Sequence, residues 1–175
     1  MSVLNHKYKF IFLHEPHCGG RSVENVLMRM YGSHNFNGEH HILVDKILEN
    51  KWVTEKQFYN YYKFRFVRDP RDWLVTCWIT AGSPGKFVNW VFTTGPKIMQ
   101  GGTLFWRYNN PNIRTLFIDR DGFNFVKSVL DLPVSDLPRL GKIDNKPDWK
   151  DLLTVNQAHQ LIDIFPDIER YQYES

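Results

Sequence analysis

The chain has 175 residues, 42% of them hydrophobic, and a formal net charge of +3. That length suits one domain with a real core, and the hydrophobic share excludes a disordered chain. The small positive charge excludes general nucleic-acid binding but suits an anionic ligand held in one local pocket.

Met1 to Phe10 has no apolar run followed by a small-residue cleavage site, and no later stretch approaches the length of a membrane span. A cytoplasmic protein with no membrane association is therefore expected. Tyr8-Lys9-Phe10-Ile11-Phe12-Leu13 is aromatic and β-branched and predicts a buried strand. Glu15 to Gly20 is turn-rich. From Ser22 to Tyr31 the apolar positions Val23, Val26, Leu27 and Met30 recur at helical spacing, and Gly32 is a plausible stop. Residues 33–41 read as an exposed polar loop, and 42–50 and 54–60 as short helices. Lys63 to Arg68 predicts a second strand, broken by Asp69-Pro70. A helix follows from about Arg71 to Thr80, with Trp73, Leu74, Cys77 and Trp78 on one face. Residues 81–111, rich in Gly and Pro, predict a flexible excursion with some helix. Ile113 to Ile118 is a third strand, Phe123 to Leu130 a helix, Leu132 to Asp148 an irregular basic segment, and Thr154 to Phe165 a last helix. Strands alternating with helices predict an α/β chain with a parallel sheet covered on both faces and ligands at the strands' carboxyl ends. Cys18 and Cys77 are too few for a disulfide framework and leave a single disulfide open.

Two motifs sit at such strand ends. In the first, Pro16-His17-Cys18-Gly19-Gly20-Arg21-Ser22 joins the first strand to the first helix. Two glycines let the backbone approach an anion, and the N–H groups and dipole of the following helix add positive potential there. Arg21 adds a cation and Ser22 a hydroxyl. Gly20-Arg21-Ser22 is similar to the Gly-Lys-Ser/Thr ending of a nucleotide P-loop, but the first glycine of that pattern falls on Glu15. A plain tight turn between strand and helix is the alternative. In the second motif, Val67-Arg68-Asp69-Pro70 ends the second strand, with Thr76 eight residues after Arg68. An arginine at a strand end presents a planar fork to phosphate oxygens. The alternative is a surface ion pair of Arg68 with Asp69 or Asp72.

Both motifs resemble those of the sulfotransferases that use 3′-phosphoadenosine 5′-phosphosulfate (PAPS), of the carbohydrate, Golgi and bacterial type. In that family a strand leads into Pro-Lys-x-Gly-Gly-Thr-Ser, which holds the 5′-phosphosulfate. Val-Arg-Asn/Asp-Pro, with a Ser eight residues after its Arg, holds the 3′-phosphate. Here the loop length, both glycines and the serine match, while His17 stands for the lysine and Arg21 for the threonine. Thr76 takes the serine position. The resemblance covers most of the chain from Tyr8 to about Tyr173. It implies a single P-loop-like three-layer domain over residues 1–175, with a short central parallel sheet flanked by helices. It also implies PAPS as donor, with 3′,5′-bisphosphoadenosine as product, and a small-molecule or carbohydrate acceptor. The implied nucleotide site comprises His17, Cys18, Gly19, Gly20, Arg21, Ser22, Val23, Arg68 and Thr76. Lys142 and Lys146 join it from a segment that resembles the family's basic closing loop. Asp121 resembles an acid that starts a helix behind that site, a structural role.

Sulfuryl transfer needs a base for the acceptor hydroxyl and cations near the oxygens where charge builds up. Gly38-Glu39-His40-His41 lies where several relatives place a catalytic histidine, so His41 is the first candidate and His40 the second. Glu24, one helical turn past Gly20, is the fallback, and His17 adds a candidate at the lysine position. Two adjacent histidines rarely point at one ion, and no catalytic metal is expected. Trp90, Phe92, Phe105, Trp106 and Tyr108 suit either an acceptor wall or a core. Two other readings stand beside this one: a P-loop nucleotide kinase, and a relative that binds the nucleotide without turnover.

Overall fold

Phe10-Ile11-Phe12-Leu13 and Lys63-Phe64-Arg65-Phe66 alternate two kinds of side chain, and that alternation decides which residues meet on each face of the sheet. The structure is a computed structural model. It describes residues 1–39, 41–42, 44–100, 112–118, 120, 122–134, 136–138, 140, 143–165 and 168. In chain order, its first elements are β1 (Val3–Asn5), β2 (Phe10–Leu13), α1 (Gly20–Leu27), β3 (Ser33–Asn35), α2 (Val44–Glu49), α3 (Glu55–Asn60) and β4 (Tyr62–Val67). Then come α4 (Pro70–Thr80), α5 (Phe87–Thr93), α6 (Gly95–Gln100), β5 (Ile113–Phe117), α7 (Gly122–Leu130), α8 (Trp149–Leu152) and α9 (Val155–Ile164). Two compact units form. The first is drawn from Met1–Val67 and Trp106–Lys142, the second from Arg68–Phe105 and Ile143–Ser175.

The first unit holds a five-stranded sheet in the order β3-β1-β2-β4-β5. The three strands expected from the sequence pair in parallel, with Phe12 opposite Phe64 and Phe64 opposite Arg114. Two short antiparallel strands that the sequence did not announce, β1 on β2 and β3 on β1, extend this parallel centre into a mixed sheet. Residues 33–35, read as loop, are thereby recruited to the sheet edge. Asn5 ties this edge together: its side-chain amide donates to Ser33 Oγ at 2.8 Å, and its Oδ1 accepts the N–H of Tyr8 at 2.8 Å.

Successive side chains of a strand point to opposite faces. On one face Phe10, Phe12, Phe64 and Phe66 pack with Val23, Val26 and Leu27 of α1 and with Phe123 and Val126 of α7. On the other, Ile11 and Leu13 pack with Val44 and Ile47 of α2 and Phe58 of α3. Helices thus cover the sheet on both faces. On β4 the same alternation buries two cations. Lys63 donates to the carbonyls of Phe58 and Tyr61, and burial lowers its pKa. Arg65 meets Glu15 at 3.1 Å, with both side chains almost wholly enclosed. Arg65 Nε also donates to Thr115 Oγ1 on β5 at 2.9 Å.

In the second unit α4 opens with Asp69 as its cap, whose carboxylate accepts the N–H of Arg71, and with Pro70 in the first turn. Trp73, Leu74 and Val75 are buried, as are Phe87, Trp90 and Val91 of α5. Trp78 meets Phe87 edge-on at 5.6 Å. Of the aromatics open to two readings, Trp90 is therefore core and Phe92 is half-buried, while Phe105, Trp106 and Tyr108 lie outside the described residues. The excursion expected over 81–111 contains α5 and α6. Cys18 and Cys77 are both free thiols, and burial pushes Cys77 up to about 12, which keeps it un-ionised at neutral pH.

Candidate functional site

The glycine loop leaves β2 at Leu13 and enters α1 at Gly20. His17 and Gly19 both adopt the left-handed backbone region, with φ 59° and 74°. Glycine reaches that region without penalty, and histidine is among the residues that tolerate it best. Gly19 is the helix cap, and α1 begins with neither a side-chain cap nor an acid in its first turn. Cys18 is buried, and its N–H donates to the carbonyl of Glu15 at 3.4 Å. His17 and Arg21 are exposed. Ser22 is buried, and its Oγ accepts the N–H of Leu140 at 3.1 Å. The side chain of Val23 lies in the core between α1 and the sheet. Glu15, through Arg65 and Thr115, fastens the start of the loop to β4 and β5.

Gly20 is glycine for a different reason. A Cβ there would fall 1.9 Å from Cδ2 and 2.1 Å from Nε2 of His14, whose ring edge occupies the space over the first turn of α1. His14 is buried and stacks near the Phe12 ring. Its Nδ1 lies 4.0 Å from Glu24 Oε2, and the amine of Met1 contacts both groups. The rings of His14 and His41 meet edge to face at 5.0 Å. Nδ1 of His41 lies 2.9 Å from the carbonyl oxygen of His14. A carbonyl only accepts, so Nδ1 of His41 carries the proton, and in the neutral ring Nε2 is the basic nitrogen. His41 and Glu24, named as bases on separate grounds, thus both adjoin His14. His40 lies outside the described residues.

In the second unit, Arg68, Thr76 and Lys146 converge on Asp72. Arg68 Nη2 lies 2.9 Å from Asp72 Oδ2, and Lys146 pairs with Oδ1 of the same carboxylate. Lys146 Nζ also donates to Thr76 Oγ1 and to the carbonyl of Asp72, both at 3.2 Å. Thr76 Oγ1 donates to that carbonyl at 3.1 Å. Burial pulls the pKa of Lys146 below its usual value; the nearby Arg68 charge pulls the same way, and Asp72 opposes them. The ion pair of Arg68 with Asp72, one of the two readings of the sequence, is therefore present. Arg71 is engaged elsewhere: it grips Asp69 at 2.7 Å and stacks on Trp149 at 4.1 Å. Lys142 and Asp121 lie outside the described residues.

A family model described as the sulfotransferase family matches residues 1–102, more than half of the 175. The chain belongs to the sulfotransferase family. Membership places it among the transferases and points to sulfuryl transfer. The matched stretch holds the glycine loop, His41, Arg68 and Thr76 of this sulfotransferase; Lys146 lies beyond it. No curated protein and no solved structure matches the chain significantly. Among the described residues, no helix is long and apolar enough to cross a membrane, and no group of three or more His, Cys, Asp or Glu side chains is placed to hold a metal ion.

Sequence reasoning missed His14, Glu15, Arg65 and the convergence on Asp72. Two buried cations alternating with aromatics on β4 were the available signal, because a buried charge needs a partner. For His14, 27 residues from His41, the sequence offered none.

Proposed function

We propose that the chain transfers the sulfuryl group of PAPS to a hydroxyl or amine of a small-molecule or carbohydrate acceptor. It would act without a metal, in the cytoplasm, with residues 1–175 working as one P-loop-like sulfotransferase domain. The observation that carries this reading is the gathering of Arg68, Thr76 and Lys146 around one carboxylate. Two cations and a hydroxyl, one of the cations from a distant part of the sequence, gather around the Asp72 carboxylate there. A 3′-phosphate suits that donor set. The backbone of His17 to Val23, with the side chains of His17, Arg21 and Ser22, takes the 5′-phosphosulfate, supported by the uncapped start of α1, and Lys142 joins Lys146 on the nucleotide.

In this reading His41 Nε2 takes the proton of the acceptor hydroxyl. The acceptor oxygen forms its bond to sulfur as the bond from sulfur to the bridging phosphate oxygen breaks, and 3′,5′-bisphosphoadenosine leaves. Its leaving charge falls to His17 and Arg21. His40 and Glu24 follow His41 as candidates for the base, Glu24 less suited because its carboxylate is engaged at the amine of Met1. The test is transfer of labelled sulfate from PAPS across a panel of sugars, phenols and amines. Labelled product supports the reading, with His17→Lys preserving or raising turnover. Nucleotide binding with no transfer to any acceptor would mark an inactive relative instead.

Lys146 gives the site a characteristic pH dependence. Only its protonated form attracts phosphate, and its pKa lies below the usual 10.5. The second ionisation of a phosphate monoester has its midpoint at about pH 6, so the ligand's charge is already constant in the alkaline range. As the pH rises towards the usual lysine range, affinity for 3′,5′-bisphosphoadenosine is therefore expected to fall, and to be falling already below pH 10.5. Lys146→Met is expected to bind more weakly and to lose that alkaline fall, as measured by calorimetry across the pH series.

A further inference from the structure

We infer that His14 is a positioning residue, whose ring holds the His41 imidazole in place against the backbone carbonyl of residue 14 and sets the seat of the first turn of α1. The inference rests on the reading of His41 as the base. His14 sits one residue past the end of β2, and its own N–H is held by Ser2 Oγ at 3.0 Å. Its carbonyl receives Nδ1–H of His41, and the two imidazole rings meet edge to face at 5.0 Å. Free imidazole side chains in water favour the Nε2–H form, which would turn the base nitrogen into a donor. The bond to the backbone carbonyl of residue 14 selects the opposite tautomer, and the contact with the His14 ring keeps His41 turned towards that carbonyl. The Cδ2–Nε2 edge of the same ring fills the space over Gly20, as the 1.9 Å approach to an added Cβ shows. Glu24, the amine of Met1 and His41 are among the titratable groups around it. One side chain therefore touches both the residue assigned to proton transfer and the helix start assigned to the phosphosulfate.

The test uses the full chain labelled with ¹⁵N and long-range proton–nitrogen spectra of the imidazoles, with the His41 signals assigned by their loss in His41→Asn. In the wild type the neutral His41 ring is expected as the Nδ1–H tautomer. His14→Ala keeps the backbone carbonyl but removes the ring that holds His41 against it, so the spectrum is expected to move towards a mixture of the two tautomers and the titration midpoint to shift. If His14→Ala fails to fold, His14→Gln, of similar volume, carries the same readout. A second arm uses Gly20→Ala, which is expected to lose tenfold or more in affinity for 3′,5′-bisphosphoadenosine, and His14→Ala/Gly20→Ala, where the freed space is expected to restore part of it. A His41 tautomer and midpoint unchanged by the loss of the His14 ring would overturn the inference. The spectra need no nucleotide, so this failure is distinguishable from failure of the sulfotransferase reading, which shows as absent nucleotide binding in the wild type.

Discussion

Arg65→Ala is expected to destabilise the protein by about 3–5 kcal/mol, the cost of leaving one buried charge without its partner. The side chains of Arg65 and Glu15 are 5% and 1% exposed, so water cannot replace the missing ion. Arg65 also donates to Thr115, which adds a lost hydrogen bond on β5. For a chain of this length, such a loss lowers the thermal midpoint by roughly 6–20 °C. Glu15→Ala is expected to do the same from the other side. Arg65→Met combined with Glu15→Leu removes both charges and is expected to regain most of the stability, because apolar pairs often replace buried ion pairs without loss. Glu15 opens the glycine loop, so that double variant is expected to recover stability without full nucleotide affinity. Thermal unfolding followed by circular dichroism checks the series. A shift of a degree or two in Arg65→Ala would show that the pair is solvated.

Arg68→Ala is expected to weaken 3′,5′-bisphosphoadenosine by about 1.5–3 kcal/mol, the scale of a hydrogen bond to a charged group. That is roughly tenfold to more than a hundredfold in Kd. Arg68→Lys is expected to fall between, since an ammonium lacks the planar fork that matches phosphate oxygens. The control is adenosine 5′-phosphate, which has no 3′ group: its affinity is expected to be the same in Arg68→Ala and wild type. Equal losses for the two nucleotides would mean that Arg68 supports the fold of α4 through Asp72 and does not read the 3′-phosphate. Isothermal calorimetry at constant ionic strength separates these results.

The central strands and most helices were legible because their signals are local. β2, β4 and β5 carry aromatic and branched runs, and Asp69-Pro70 marks the start of α4. Thr54 and Thr154 each precede a Gln by three residues, and both form full capping boxes. β1 and β3 have three residues each, and neighbouring strands rather than their own propensity hold them in place. For the site, the glycine loop and Arg68 were legible as motifs, because phosphate chemistry demands particular residue types at fixed spacing. The company they keep was not. Nothing local brings Lys146 to Thr76 across 70 positions, or sets the ring of His14 over Gly20. Such contacts depend on how elements pack, and a single chain's spacing does not encode them.

Calorimetric titration of the wild-type chain with 3′,5′-bisphosphoadenosine, in the presence of a chelator and in parallel with ATP, bears most directly on the sulfotransferase reading. Saturable one-to-one binding of the bisphosphate without Mg²⁺, with ATP far weaker, is the expected result. No binding of the bisphosphate, or equal affinity for ATP that depends on Mg²⁺, would contradict the assignment of these anion-binding groups to a sulfate donor.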